Sequence, residues 1–353
     1  MMRGERLPKM GYALLIGTAC GFLANWIGMP LPWMLGPMIG NTLAAVLRAP
    51  VLAPIKLRPI VVPVLGVMLG SSLNMELISQ VGRWTATIAL MPFFLAVAGV
   101  ASYLFYRRVA QFDHVTAFFS AMPGGLNDMM IMGGAAGGDE QKIALAHSSR
   151  ILVVVLFVGL FYGFALDVQA TGPARPFVGM SSFGMMDLIW LAAAAILGVP
   201  FGKFLRLPAG QMLGPMILSG ALHLMGLVEL PPPTVLVIAA QIVLGTVIGC
   251  RFVGTPVAQI GRNVGFGLAS SALMLAATLG FAGLLASVSE VQQTQAFLAY
   301  SPGGLTEMSL LALAMGQEVA YVSVAPVVRI MIVIFGAPLA FRAIGALEKD
   351  AGA

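Results

Sequence analysis

Apolar residues run along this chain in long blocks, divided by short polar or Gly/Pro-rich breaks. The blocks are roughly 16 to 26 residues long and do not alternate, which predicts helices of membrane-crossing length rather than strands. A membrane β-barrel would instead show alternating segments of about ten residues. The pattern predicts spans at 10–28, 33–48, 59–78, 84–106 and 141–166, then at 184–200, 211–227, 233–250, 264–287 and 320–341. Two shorter pairs of apolar pieces flank a Pro-Gly-Gly: 112–121 with 126–136, and 292–300 with 305–316. A ten-residue helix is only about 15 Å long, against roughly 30 Å of hydrocarbon. Each pair therefore forms either one broken crossing or a re-entrant hairpin.

The second set of spans repeats the first. Met34-Leu35-Gly36-Pro37-Met38-Ile39 recurs as Met212-Leu213-Gly214-Pro215-Met216-Ile217, an offset of 178. Val64-Leu65-Gly66 and Gly70 recur as Val243-Leu244-Gly245 and Gly249, and Gly82-Arg83 as Gly261-Arg262. Pro123-Gly124-Gly125-Leu126 recurs as Pro302-Gly303-Gly304-Leu305, an offset of 179. Asp128 then aligns with Glu307, Asp139 with Glu318 and Arg150 with Arg329. Chance similarity between apolar segments would not hold Gly, Pro and Arg at one offset. The chain divides into a first membrane repeat (1–166), a linker (167–182) and a second membrane repeat (183–353).

Composition agrees with lipid as the solvent. Hydrophobic residues make up 59% and charged residues 9%, where soluble domains carry about 25% charge. The mean hydropathy is +0.95. The basic residues before Met10 suit a signal peptide, but the apolar run that follows has a counterpart at Leu188 to Val199, which a cleaved leader would not have. The net charge of +5 is scattered among loops, which argues against a nucleic-acid surface. Cys20 and Cys250 fall in apolar runs, and His114, His147 and His223 follow no ligand spacing. No metal, cofactor or disulfide framework is expected. Walker, Ser-His-Asp and CxxC patterns are absent from the sequence, so an ATPase or ordinary soluble enzyme is unsupported.

Charge also sets orientation, because Lys and Arg gather in cytoplasmic loops. With re-entrant Pro-Gly-Gly segments, five spans per half and a cytoplasmic N-terminus, 15 of the 17 Lys and Arg outside the spans fall inside, leaving Arg83 and Arg175 outside. If the segments cross, the split weakens to 11 against 6. Five spans per half make the two repeats inverted. Homologous loops agree: the basic loop Arg48 to Arg58 has an uncharged-to-acidic counterpart at Val228-Glu229-Leu230, and Arg107-Arg108 has a counterpart near Ser287 to Glu290 without Lys or Arg. The expected fold is an all-α polytopic membrane protein of two inverted repeats, each with about five transmembrane helices and a Pro-Gly-Gly re-entrant hairpin, both termini cytoplasmic.

Irregular backbone at membrane depth is tolerated only inside protein or beside a wet cavity. Pro123, Gly124, Gly125 and Asn127, with Pro302, Gly303, Gly304 and Thr306, are therefore candidate substrate-binding residues. The helix that follows each break opens with free N–H groups and a positive dipole end, which suits an anion. Asp128 and Glu307 sit in its first turn, as caps or as ion- or proton-coupling groups. Arg150 and Arg329 lie about ten residues into their spans, where a central Arg costs roughly 2.5–3.5 kcal/mol on insertion scales. They either hold an anionic substrate or pair with Asp128, Glu307, Asp139 or Glu318. His147, on the helical face of Arg150, is a proton-relay candidate or a hydrogen-bonded structural histidine. The Met-Leu-Gly-Pro-Met-Ile elements read as kinked packing helices or as a second pair of broken helices, with Asn41 and Gln211 supplying polar atoms.

Leu31-Pro32-Trp33-Met34-Leu35-Gly36-Pro37, Met212-Leu213-Gly214-Pro215, Met122-Pro123-Gly124-Gly125-Leu126 and Ser301-Pro302-Gly303-Gly304-Leu305-Thr306-Glu307-Met308 resemble the bacterial AbrB-duplication membrane family over nearly the whole chain. The resemblance implies a bacterial inner-membrane protein. The names used in that family imply regulation of gene expression or ammonia monooxygenase activity. This sequence carries neither a DNA-binding module nor a His-rich metal site. In outline the architecture is also similar to transporters with inverted five-helix halves and Gly-Gly re-entrant loops. The expected function is a secondary transporter, for a small organic anion coupled to H+ or Na+, and not an enzyme. The alternative is a membrane sensor acting indirectly on gene expression. Expected partners are the lipid bilayer and a small-molecule or ion substrate; a homodimer stays open by analogy with similar carriers.

Overall fold

The computed structural model describes residues 3–29, 31–73, 81–161, 177–207, 209–254, 257–289 and 291–350. Most of the expected linker, 167–176, lies outside the described residues, as do 74–78 and 162–166 of two expected spans. Fourteen α-helices occur among the described residues. They are α1 (Arg3–Trp26), α2 (Pro32–Val46), α3 (Arg58–Gly70), α4 (Thr85–Arg108), α5 (His114–Ala121), α6 (Leu126–Ala135) and α7 (Glu140–Leu160). The second set is α8 (Met185–Phe204), α9 (Gly210–Leu224), α10 (Thr234–Gly249), α11 (Val257–Val288), α12 (Gln293–Tyr300), α13 (Leu305–Ala314) and α14 (Val319–Asp350). The two sets of seven follow the sequence repeat in order.

Among the described residues, seven helices are long and apolar enough to cross a membrane: α1, α4, α7, α8, α10 with its 3-10 extension, α11 and α14. The protein is thus a helical membrane protein. Three of the ten expected spans are helices too short to count among these seven. Helices α2 and α9 have 15 residues and α3 has 13, or about 20 Å. At α2 and α9 the backbone turns at both ends. Leu31 and Ala209, in left-handed conformation, precede α2 and α9, and Arg48 (φ 58°) and Gly226 (φ 70°) follow them.

Left-handed residues fall at equivalent positions of the two repeats: Gly28 with Arg206, Leu31 with Ala209, Arg48 with Gly226, and Gly137 with Gly316. A side-chain-bearing residue in this region is unfavourable by about 1–2 kcal/mol, so the repeated turn geometry is imposed by packing rather than by local preference.

The chain forms two compact units, and each draws on both repeats. Unit 1 comprises Met1–Val81, Val155–Ile260 and Leu305–Ala320; unit 2 comprises Gly82–Val154, Gly261–Gly304 and Tyr321–Ala353.

Unit 1 is built by exchange between the repeats. A Cβ on Gly66 of α3 would run into the Met212 carbonyl of α9, and one on Gly70 into the Met216 carbonyl. At the equivalent positions, Gly245 and Gly249 of α10 face the Met34 and Met38 carbonyls of α2. The third helix of each repeat thus lies on the second helix of the other, close enough that only glycine fits at the crossing. Polar contacts follow the same exchange. The Ser219 hydroxyl donates to the Val67 carbonyl at 2.9 Å, while Asn41 Nδ2, at the position equivalent to Ser219, lies 3.4 Å from Thr246 Oγ1, at the position equivalent to Val67. Asn41 also donates to the carbonyls of Ala13 and Pro37, at 3.1 and 3.0 Å, so this fully buried amide is structural. Of the polar neighbours expected for the Met-Leu-Gly-Pro-Met-Ile elements, Asn41 is thus taken up by helix packing.

Unit 2 has an aromatic centre. Phe94 of α4 meets Tyr300 of α12 and Phe281 of α11 edge-on, with ring centroids 4.9 and 5.6 Å apart. The Tyr300 hydroxyl donates to the Thr87 carbonyl at 2.6 Å, and Thr87 and Tyr321 share a hydroxyl–hydroxyl bond of 2.7 Å. Helix α6 doubles back along α5: Gly133 packs on Phe119 and Gly138 on Val115. Asp113 starts α5 by accepting from the Thr116 amide at 2.9 Å. Partial burial pushes the Asp113 carboxyl up, but hydrogen bonds from Thr116 outweigh this and hold it below the usual carboxylate range. Asp139 starts α7 in the same way, accepting from the Lys142 amide at 3.1 Å, and its backbone amide donates to Thr116 Oγ1 at 2.9 Å.

Candidate anion site

The Pro-Gly-Gly breaks end α5 and α12 alike. Met122 and Ser301, at equivalent positions, turn to extended backbone while their amides still bond to the Phe118 and Phe297 carbonyls, at 3.2 and 2.9 Å. The proline that follows has no N–H to continue the helix. The last carbonyls of each short helix are left without helical donors and carry its negative dipole end.

A guanidinium from a long helix caps each of these ends. Arg150 of α7 donates through Nη1 to the Ser120 carbonyl and through Nη2 to the Met122 carbonyl, both at 3.3 Å. Arg329 of α14 donates through Nη1 to the Ser301 carbonyl and through Nη2 to the Gly303 carbonyl, the latter at 2.7 Å. Their side chains are 2% and 3% exposed, so both charges are withdrawn from solvent and lipid. The acceptors are carbonyl dipoles, which soften a buried charge but do not neutralise it. The Nε–H of each arginine is buried with no protein acceptor among the described residues.

His147 completes the Arg150 side. Its Nδ1 lies 2.7 Å from Arg150 Nη2 and its Nε2 lies 2.9 Å from the Phe119 carbonyl. An acceptor at Nδ1 and a donor at Nε2 define the neutral tautomer with hydrogen on Nε2, assigned from these partners. His147 has no counterpart in the second repeat, where Pro326 stands.

Three hydroxyls missed in the sequence reading lie on segments that pack near Arg150. Ser120 Oγ, Ser149 Oγ and Ser271 Oγ are buried without partners among the described residues. Ser120 gives its carbonyl to Arg150, and Ser149 precedes Arg150 on α7, against Gly267 of α11. Ser271 lies on α11 between Gly267 and Met274, whose sulfur is 3.9 Å from Arg150 Nη1. Serines inside a strongly apolar span were the available signal; bulk hydropathy hides them.

The other expected site residues are placed as follows. Pro123 and Pro302 are buried at the breaks, as is Gly303; Gly304 is half-buried. Gly124 packs on Val333 of α14 and Met129 of α6. The Asp128 carboxylate folds back over Gly125 at the start of α6, leaving Asp128 exposed. The Asn127 side chain lies outside the described residues. Thr306 and Glu307 are half-buried on α13 in unit 1, where Glu307 is within electrostatic reach of Arg251. Asp139, one of the acids considered as a partner for the buried arginines, is 3.5 Å from Lys142 instead. Among the described residues, no three His, Cys, Asp or Glu side chains gather in metal-binding geometry.

The chain is 25% identical to "Uncharacterized protein YhjN" of Bacillus subtilis (strain 168), over 99% of this chain and 97% of that protein. It is also 25% identical to "Putative regulator AbrB" of Escherichia coli (strain K12), over 91% of this chain and 92% of that protein. Neither printed name assigns an enzymatic activity. The family described as "Transition state regulatory protein AbrB" matches residues 33–345. The chain, a helical membrane protein, therefore belongs to the AbrB family.

Proposed function

We propose that this protein is a bacterial inner-membrane secondary transporter for a small organic anion, coupled to H+ or Na+. The observation that carries the reading is the pair of buried arginines, each holding the carbonyl end of a helix broken by Pro-Gly-Gly. Two buried positive charges without carboxylates among their described hydrogen-bond partners attract an anion, and ionisable groups at membrane depth mark substrate and ion pathways. In this reading Arg150 and Arg329 bind the anion, assisted by backbone at Pro123, Gly124, Gly125, Pro302, Gly303 and Gly304. Asp128, Glu307 and His147 are the groups proposed for coupling.

The proposed topology is two inverted repeats with re-entrant Pro-Gly-Gly hairpins and both termini cytoplasmic. It is supported by the opposite charge bias of homologous loops and by the exchange of equivalent contacts between repeats. Helices α2, α3 and α9 are then short crossings shielded by their neighbours. A homodimer is the proposed assembly.

The test is uptake. Purified protein in liposomes is screened with labelled carboxylates and amino acids under an imposed H+ or Na+ gradient. Gradient-driven uptake of at least one organic anion is expected, and no uptake across the panel contradicts the proposal. A second reading, a membrane sensor acting on gene expression, is favoured by the printed name of the E. coli relative. It predicts altered transcription in a deletion strain together with a transport-inactive purified protein.

A further inference from the structure

The two buried arginines belong to one neighbourhood of unit 2. Arg150 holds the Met122 carbonyl, and two residues later Gly124 packs on Val333 of α14. Val333 is one helical turn beyond Arg329 and on the same face. The first Pro-Gly-Gly break is thus held by Arg150 and packed on the helix that carries Arg329, and the two guanidinium groups are within electrostatic range of each other. Their nearest described hydrogen-bond partners are neutral: four carbonyl oxygens, a thioether sulfur and a neutral imidazole.

A monoanion bound here would neutralise one of two like charges and leave the other buried and repelled. A ligand with two acid groups neutralises both, and each acid takes an Nε–H that has no protein acceptor. The segments around the two arginines are chemically unequal. Those near Arg150 carry the hydroxyls of Ser120, Ser149 and Ser271, buried and unpartnered among the described residues. The positions equivalent to Ser120 and Ser149 in the second repeat are Ala299 and Val328.

We propose that Arg150 and Arg329 form a single site for a dianionic organic acid, with one acid group on each guanidinium. The proposal rests on the transport reading for the choice of site, but is a statement about binding and is tested by binding. The probe is succinate, compared with its half-amide succinamate and with butyrate, and the series is extended to malonate, glutarate and adipate to cover the unknown span. Ligand-induced thermal stabilisation and titration calorimetry are read on the full-length protein in detergent.

The wild-type protein is expected to bind at least one diacid at least tenfold more tightly than its half-amide. Arg150→Lys and Arg329→Lys keep the charge and a donor for the helix-end carbonyls, which makes them the mildest substitutions at these positions. Each is expected to weaken the diacid at least tenfold and to narrow its advantage over the half-amide. Three results overturn the proposal: equal binding of diacid and half-amide, full diacid binding in either Lys variant, or no diacid binding in the wild type. The wild-type ligand series decides the question even if a variant fails to fold. Diacid binding without gradient-driven uptake would remove the transport reading alone. Uptake of other substrates without diacid binding would remove this inference alone.

Discussion

Arg150 Nη2 donates to His147 Nδ1 at 2.7 Å, one helical turn away within a span of lipid-compatible sequence. The imidazole in turn bonds through Nε2 to the Phe119 carbonyl, so it links the guanidinium to the broken helix whose end that guanidinium holds. His147, read in the sequence as a proton relay or a structural histidine, stands where it also positions Arg150.

Replacing His147 by Leu leaves a buried charged donor without its acceptor. Such a loss costs about 1–3 kcal/mol. The His147→Leu protein is expected to melt earlier in detergent, whereas His147→Gln, which restores an acceptor, is expected to recover part of the loss. Equal melting of wild type and His147→Leu would show that the contact contributes nothing.

The exchanged glycine crossings predict paired sensitivity. Gly66→Ala and Gly245→Ala each drive a methyl into a backbone carbonyl of the other repeat's second helix. Overpacking of this kind costs about 1–3 kcal/mol. The two variants are expected to lose similar stability, since they disturb equivalent crossings. Gly265→Ala, on α11 where a Cβ meets open space, is the control and should be neutral or slightly stabilising. Chemical denaturation in a defined detergent is the measurement.

Asp113 caps α5 outside the spans. Asp113→Ala is expected to cost about 1 kcal/mol at neutral pH. Its folded carboxyl lies below the usual range, so its contribution is present above the unfolded value of about 4 and is lost as pH falls through the folded value. The stability difference between wild type and Asp113→Ala should therefore shrink in acid. A difference that grows as pH falls would reverse the assignment.

Inversion of the repeats is tested at equivalent exposed positions. After Cys20 and Cys250 are replaced, a cysteine at Lys203 should react only from the cytoplasmic side, and one at its counterpart Asn25 only from the opposite side. Labelling of both from one side would contradict the inverted arrangement.

The helical class, the duplication and the two breaks were legible because Gly, Pro and Arg recur at a near-constant offset in an apolar background. The end of α3 at Gly70 was not. Nor were the left-handed turns at Leu31, Arg48 and Ala209, residues with no intrinsic preference for that backbone. Arg150 and Arg329 stood out by charge alone, but their acceptors are backbone carbonyls, which carry no side-chain signature. The Glu307–Arg251 proximity was hidden because Arg251 has Ser72 at the equivalent position and so breaks the repeat. The drawing of each compact unit from both repeats was invisible in a linear pattern, since the exchange of α3 and α10 contacts is a long-range event.

The most direct test of the central claim is initial-rate uptake of labelled organic anions into liposomes by wild type, Arg150→Lys and Arg329→Lys under the same ion gradient. Two buried guanidinium groups that bind the transported anion predict gradient-driven uptake by the wild type and at least a tenfold loss in each variant. Uptake that is unchanged by either substitution, or absent for every anion tried, would contradict the account.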